Sequence, residues 1–335
     1  MRKPQNAVCE RCKNGFRGKC SCPDGCTLLL GDCLDVMKRL PPESVDLVFG
    51  SPPYCDARTY GIDAQRGCIE WVEWMLGVSE AAQRVCRGPV LWVAAGVTRG
   101  RCYWPAVEGL MWEWYKRGGE HQLYRPCAWV KNGIPGSGGD DWFRADWEYV
   151  VCLKRTGRLP WSDNTAMGHP PRWAPGGEMS YRLRSGARVN QWGGHGNGIR
   201  GRDGKPQDGN RPSHAWFRVS NDLLNGSHAR QICVKANPGN VIYAPVGGGL
   251  IGDHIAHENE APFPEKLAEF FIRSLCPPGG TVLDPFVGSG TTLKVAREWG
   301  RRAIGIDVRQ SQIELCRKRL EQWTLPLEIA DDPRP

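Results

Sequence analysis

The sequence predicts an α/β fold, a sheet of strands alternating with helices, that carries one loop-rich insertion. Three observations predict it. Short apolar runs bounded by turn residues alternate with segments whose apolar residues recur at helical spacing. One such run, Thr281 to Leu283, leads straight into a glycine-rich turn and then a helical stretch. Between Arg155 and Gly252 the alternation stops, and glycine, arginine and tryptophan dominate.

The elements follow in order. Residues 1–26 are polar and cysteine-rich, and Thr27 to Leu30 then begins a buried strand. Val45 to Gly50 (VDLVFG) is a second strand, ending abruptly at Ser51-Pro52-Pro53-Tyr54. From Cys68 to Val85 the residues Ile69, Val72, Leu76 and Val85 recur at roughly helical spacing, and Pro89 to Ala95 forms a third strand. Cys127 to Val130 and Tyr149 to Leu153 are two more. Pro264 to Leu275 reads as a helix, with Pro264 suited to a first turn and Leu267, Phe270, Phe271 and Leu275 on one face. A strand (Thr281 to Leu283), the glycine loop, a helix (Thr292 to Trp299), a strand (Ala303 to Ile306) and a last helix holding Ile313, Cys316 and Leu320 complete the chain.

The length, 335 residues, suits one large domain with an insertion or two modest domains. The formal net charge is +8, and the span from Lys154 to Arg230 holds 13 basic against 5 acidic residues, so this one segment carries the whole excess. A polyanionic partner should meet it there. The same span holds 13 glycines, with Trp161, Trp173, Trp192 and Trp216 interleaved among arginines. Disordered tracts are poor in aromatics, so an ordered, loop-rich insertion is expected. Arginine suits phosphate and guanine edges and tryptophan suits base stacking, which makes Arg182, Arg184, Arg188, Arg200 and Arg202 candidate DNA-binding residues; a solvated basic loop set is the alternative. His169, His195, His214 and His228 lack ligand spacing.

No apolar run reaches the roughly 18 residues of a membrane helix, and Met1 to Val8 is polar rather than an apolar signal core. A soluble, cytoplasmic protein without a membrane partner is expected. Of the 15 cysteines, Cys9, Cys12, Cys20, Cys22 and Cys26 are clustered. Four of these five could clamp a structural zinc, beginning with the C-x-x-C pair; reduced surface thiols are the alternative.

Two segments carry chemistry. In Thr281 to Thr292 (TVLDPFVGSGTT) a strand, a glycine turn and a helix start let backbone approach a ligand and aim N–H groups at an anionic moiety. About 20 residues on, Asp307 ends the next strand, where a carboxylate can accept both hydroxyl protons of a ribose. Together they describe a nucleoside site. Gly288 and Gly290 followed by Thr291-Thr292 do not complete G-x-G-x-x-G, which counts against a dinucleotide oxidoreductase. Directly after VDLVFG, the Ser51 side chain and the Pro52 carbonyl offer two acceptors on a turn stiffened by Pro52 and Pro53. Two such acceptors can pull the amine of cytosine or adenine out of conjugation so that it attacks as a nucleophile. Tyr54 would stack on a base removed from the duplex. A plain turn or a ligand for a small recognition domain is the plainer reading of P-P-Y. Pro126-Cys127 lies after the tetrad at the start of an apparent strand, so Cys127 is read as core rather than as a nucleophile. Glu148 is either a solvated strand end or a support for the active site.

These pieces resemble the exocyclic-amine DNA methyltransferases, in the circularly permuted group whose catalytic tetrad precedes the cofactor loop. The resemblance runs from Thr27 to Gln322 apart from the insertion. It implies a Rossmann-like S-adenosyl-L-methionine-dependent methyltransferase fold, with a seven-stranded, mostly parallel sheet and helices on both faces. It divides the chain into a Cys-rich segment (1–26), a catalytic half (27–154), a target-recognition insertion (155–252), a cofactor-binding half (253–323) and a tail (324–335). Ser51, Pro52, Pro53 and Tyr54 match the catalytic tetrad. For the cofactor it implies Asp32 in an adenine-contacting turn with Gly31, Phe263 and Lys266 beside the methionine moiety, Asp284, Pro285, Phe286, Gly288, Gly290 and Thr291 in the loop, and Asp307 on the ribose. One departure is Asn259, where members often place a histidine. Serine at the first tetrad position points to cytosine-N4 methylation. Adenine-N6 methylation by the same fold is the near alternative, and a SAM- and DNA-binding protein without turnover the remote one. Double-stranded DNA and a cognate restriction endonuclease are the implied partners.

Overall fold

The structure is a computed structural model, and it describes residues 25–55, 67–131, 143–169, 180–182, 188–190, 238–246 and 262–321. The chain divides into two compact units, Met1–Asp163 with Asn240–Pro335, and Asn164–Gly239. The first begins with β1 (Cys26–Leu30), α1 (Cys33–Arg39), β2 (Leu47–Gly50), α2 (Cys68–Val85) and β3 (Val90–Ala94). A hairpin of β4 (Val97–Arg99) and β5 (Cys102–Trp104) leads to α3 (Ala106–Arg117), β6 (Gln122–Leu123), β7 (Cys127–Val130) and β8 (Trp147–Lys154). Within the second unit, β9 (Ser180–Arg182) and β10 (Arg188–Asn190) form an antiparallel pair that sets Arg182 opposite Arg188. The first unit resumes with β11 (Val241–Tyr243), α4 (Glu265–Leu275), β12 (Thr281–Asp284), α5 (Thr291–Glu298), β13 (Arg302–Asp307) and α6 (Gln310–Glu321).

One sheet organises the first unit, in the order β1-β13-β12-β2-β3-β8-β7-β11, with β6 paired on β8. The strands from β1 to β3 are all parallel, β8 runs antiparallel to its neighbours, and β11 is parallel to β7. The sheet is mostly parallel as expected, and among the described residues nine strands join it, two of them short additions at β8 and β7. Two local causes account for these additions. β6 and β7 line successive parts of the same edge of β8 and are separated at Pro126, which has no N–H to give to a ladder. β11 pairs on the outer edge of β7, where Ala128 N donates to Asn240 O at 2.8 Å, so that edge is not left open.

The pleat sorts side chains between two cores. Val48, Val90, Trp92, Val151, Leu283 and Ile306 point to one face and pack beneath α1, α2 and α3. Their neighbours Leu47, Phe49, Leu91, Val93, Val150 and Val282 point to the other, beneath α4, α5 and α6. Helices therefore cover both faces. Phe49 sits edge-on to Phe263 at 5.4 Å and stacks on Phe271 at 5.5 Å, which fixes the start of α4 against β2. Asp46 sets the register of β2 and β12, since its carboxylate accepts Thr281 N at 2.8 Å and its own N–H donates to Thr281 O at 2.8 Å. Arg87 pairs with the same carboxylate at 3.0 Å.

Two helices and the β4–β5 hairpin go beyond the elements that periodicity identifies. α1 spans only 7 residues, too short for a repeating pattern, and is started by Asp32, whose Oδ1 accepts Leu34 N at 2.8 Å and Asp35 N at 3.3 Å. α3 buries Ala106, Val107, Leu110 and Trp114 along one face while exposing Trp112 and Tyr115, so its apolar pattern is blurred. Among the described residues no helix is long and apolar enough to cross a membrane.

Phe49 is fully buried between α4 and the sheet, so Phe49→Ala is expected to lower the unfolding free energy by about 3–5 kcal/mol. Urea denaturation followed by circular dichroism measures it, and a loss below about 1 kcal/mol would contradict this packing.

Candidate active site

Parallel strands of one sheet end on the same side, and here those ends gather the segments that carry chemistry. Val282 and Leu283 of β12 pair with Leu47 and Val48 of β2, so the turn after Gly50 and the loop after Asp284 leave the sheet side by side. Gly50 is required at this junction: a Cβ there would lie 2.6 Å from Asp284 Oδ1. On the far side of β12, β13 ends at Asp307, which is in register with Leu30 at the end of β1.

The Ser51–Tyr54 turn is held at three points. Ser51 Oγ donates to Val93 O of β3 at 3.1 Å, so the hydroxyl proton is committed to backbone and the oxygen's lone pairs are what it can offer a substrate amine. Trp71 of α2, itself buried, donates its indole N–H to Pro53 O at 2.7 Å. Tyr54 Oη donates to Glu148 Oε2 at 2.7 Å, and the other Glu148 oxygen is paired with Lys131. Of the two sequence readings of Glu148, the structure shows the supporting one: two antiparallel strands, β7 and β8, deliver a carboxylate that fixes the tetrad's aromatic ring. Cys127 opens β7 beside the buried Cys152 thiol, within the sheet.

The glycine loop is a tight, internally bonded turn. Gly288 and Gly290 adopt left-handed φ values of 48° and 85°. Gly288 N donates to Asp307 Oδ2 at 3.2 Å, and Gly290 N donates to Val287 O at 2.8 Å. These two N–H groups, expected to face an anionic ligand, are therefore spent inside the fold, because closing the turn and tying it to β13 uses them first. The Asp284 carboxylate is likewise turned inward, accepting Thr292 Oγ1 at 2.6 Å and Phe286 N at 3.0 Å. Pro285 is buried, whereas Phe286 is half-buried between Trp74 and Trp92. Thr291 starts α5 and is buried, Phe263 is buried on Phe49, and Lys266 is exposed on the first turn of α4.

Asp307 fits a ribose. Its carboxylate is 9 % exposed and burial pushes its pKa up, against the opposing pull of Arg309 and its backbone N–H. It accepts N–H groups from Gly288 and Arg309, with the Val308 N–H also directed at it, so part of its acceptor capacity is already used. A desolvated carboxylate with acceptor capacity left favours a further hydroxyl donor. Gly31 N donates to Asp307 O at 2.9 Å, which seats Asp32 and the start of α1 beside this acid. The residues present thus suit the nucleoside of S-adenosyl-L-methionine, with Asp307 as the polar anchor and the Asp284–Thr291 loop as the neighbouring wall.

The other expected residues fall differently. Cys9, Cys12, Cys20 and Cys22 lie outside the described residues, as do Arg184, Arg200, Arg202 and Asn259. Cys26 is the first residue of β1, paired in register with Ala303, and its thiol is directed at Leu293 O at 3.9 Å. The zinc expectation has no support: Cys26 belongs to the sheet, and no group of three metal-ligating side chains occurs among the described residues. Sequence reasoning did not single out Val93, Trp71, Lys131 or Arg319, since each acts through a partner distant in the chain.

Asp284 yields a pH prediction. Burial raises its pKa from an ordinary 3.8 to about 7, outweighing the hydrogen bonds from Thr292 and Phe286, with Asp307 adding a further upward push. A carboxyl more easily protonated in the fold than in the unfolded chain contributes stability that is complete below about pH 4 and lost as pH rises through 7. The stability of wild type relative to Asp284→Asn should therefore fall between pH 4 and 7, by at most about 1.4 kcal/mol per pH unit, and level off above. A difference independent of pH, measured by urea denaturation of both proteins, would contradict this assignment.

Comparison with known proteins agrees with the geometry. The profile of the DNA methylase family N6_N4_Mtase matches residues 45–318. Type II methyltransferase M.Cfr9I of Citrobacter freundii is 25% identical over 312 residues, covering 89% of this chain and 88% of that protein. M2.DpnII of Streptococcus pneumoniae, also a Type II methyltransferase, is 52% identical over 58 residues, or 17% of this chain and 22% of that one. Among solved structures, the PvuII DNA methyltransferase (cytosine-N4-specific) superposes with a TM-score of 0.59 at 18% identity, covering 91% of this chain and 88% of that one. TTHA0409 of Thermus thermophilus, in its complex with S-adenosyl-L-methionine, does so with a TM-score of 0.51 at 22% identity, covering 88% and 93%. The chain belongs to the N6/N4 DNA methylase family of S-adenosyl-L-methionine-dependent methyltransferases, which act on exocyclic amines.

Proposed function

We propose that this methyltransferase modifies the N4 amine of cytosine at a specific duplex DNA sequence, acting directly on a flipped base. The observation that carries the reading is the Ser51 hydroxyl, whose proton is given to Val93 O at 3.1 Å. Its oxygen is left as an acceptor aimed by backbone, which is what a conjugated amine needs in order to be drawn toward tetrahedral geometry. Trp71 holds the turn through Pro53 O, keeping the Pro52 carbonyl in place as the second acceptor. Tyr54, braced by Glu148 at 2.7 Å, presents a fixed ring on which an extruded base stacks at little entropic cost. S-adenosyl-L-methionine, when bound, would supply an electrophilic sulfonium methyl and leave as the neutral thioether, the surplus amine proton passing to water. Asp307 holds its ribose, and Asp284, Pro285, Phe286, Gly288, Gly290 and Thr291 form the wall against it. Asp32, Phe263 and Lys266 complete the assignment on the flanking segments.

Serine in place of an aspartate favours cytosine over adenine, and the structural neighbour named as cytosine-N4-specific supports that choice. Adenine-N6 methylation in the same pocket is the second reading. The arginine- and tryptophan-rich stretch within 155–252 serves as the target-recognition region, with Arg182, Arg184, Arg188, Arg200 and Arg202 contacting DNA. A cognate restriction endonuclease is the expected companion, since relatives are named Type II methyltransferases.

The test has two parts. Treated DNA digested to nucleosides should contain N4-methylcytosine by mass spectrometry; N6-methyladenine instead would transfer the assignment to the second reading. Ser51→Ala should lose about 10²-fold or more in kcat while binding S-adenosyl-L-methionine as wild type does. A variant that methylates at full rate would rule out the serine's role.

A further inference from the structure

A fully buried arginine lies under the cofactor loop. Arg319 of α6 is 0% exposed, and its guanidinium spans two segments far apart in the chain. Nη1 donates to Thr291 Oγ1 at 2.9 Å and reaches Ser289 O at 3.3 Å and Ser289 Oγ at 3.4 Å. Nη2 donates to Glu265 Oε1 at 2.6 Å. The same Glu265 oxygen accepts Lys294 Nζ at 2.6 Å, and Lys294 is also within 3.8 Å of Glu298. Two buried cations thus share one carboxylate.

The location of this cluster gives it meaning. Ser289 lies between Gly288 and Gly290, the two left-handed residues on which the turn depends. Glycines permit that conformation but do not enforce it, so something else must hold the peptide between them. Arg319 does so from below, through the Ser289 carbonyl and hydroxyl. Glu265 follows Phe263 and Pro264 at the first position of α4, so the ion pair ties that segment to the loop. A planar guanidinium can satisfy both partners at once, whereas a lysine ammonium offers its donors from a single point.

We propose that Arg319, anchored on Glu265, is a positioning residue for S-adenosyl-L-methionine: it locks Ser289–Thr291 and couples the loop to the Phe263–Lys266 segment. The proposal rests on the cofactor site assigned above. It predicts a defect in cofactor binding that is separable from chemistry and from DNA binding.

The test uses the full chain with Arg319→Met, Arg319→Lys and Asp307→Ala. Titration calorimetry with S-adenosyl-L-methionine and steady-state methylation of duplex DNA are the readouts. Arg319→Met should raise the Kd and KM for S-adenosyl-L-methionine about tenfold or more, Arg319→Lys by an intermediate factor, with the KM for DNA unchanged and kcat at saturating cofactor within about threefold. Should Arg319→Met fail to unfold cooperatively, Arg319→Lys carries the comparison. Wild-type cofactor affinity in a folded Arg319 variant, or parallel losses in kcat and both KM values as from general destabilisation, would overturn the proposal. Asp307→Ala separates the two levels: if it abolishes cofactor binding while the Arg319 variants bind normally, only the positioning role falls. If it leaves binding intact, the site assignment falls and the positioning role with it.

Discussion

The backbone pairing of β2 with β12 is the constraint on which the rest of the first unit depends. These two strands are separated by more than two hundred residues, yet Val282 and Leu283 lie in register with Leu47 and Val48, and Asp46 locks the start of both. The ladder brings the serine-led turn and the glycine loop out at the same edge. Closeness there is steric as well as topological, because the Asp284 carboxylate occupies the space a side chain on Gly50 would need. A slip of one residue would invert the faces of β2, sending Phe49 away from Phe263 and Phe271 and moving Ser51 off the Val93 carbonyl.

Around that junction the protein buries four ionisable side chains. Asp284, Asp307, Lys294 and Arg319 are all at or below 9% exposure. Each is costly to bury and each is bonded. Asp284 is met by Thr292 and Phe286, Asp307 by Gly288 and Arg309, and the two cations by Glu265. An apolar replacement set could fill the same volume. What the charged set adds is direction, since every one of these groups bonds the loop between Asp284 and Thr292 or the first turn of α4 and α5. Rigidity of the Asp284–Thr292 loop follows from polar bonds, while the Ser51–Tyr54 turn is stiffened by prolines, an indole donor and the Tyr54–Glu148–Lys131 chain.

The division of labour between faces follows from the pleat. Alternate residues of β2 and β3 feed separate cores, so Trp71 of α2 reaches the Ser51–Tyr54 turn from one face, while on the other Phe263 packs on Phe49 and Glu265 ties to the glycine loop through Arg319. Each core thus braces one of the two segments, and both segments leave the sheet at neighbouring strand ends.

The amino-acid sequence by itself determined the α/β class, the strand-to-loop junctions at Gly50 and Asp284, and the donor and acceptor groups that the Ser51–Tyr54 and Asp284–Thr291 segments carry. These are local properties: apolar periodicity, glycine's access to positive φ, proline's stiffness and the donor or acceptor character of a side chain all act within a few residues. Only the tertiary structure decided that Ser51 gives its proton to Val93, that Glu148 braces Tyr54, that Gly288 and Gly290 spend their N–H groups inside the fold, and that Arg319 underlies Ser289. It also decided the break between β6 and β7 at Pro126 and the pairing of β11 on β7. Pairings of this kind join residues tens to hundreds of positions apart, and their partners are fixed by register and packing, which leave no periodic trace in either segment alone.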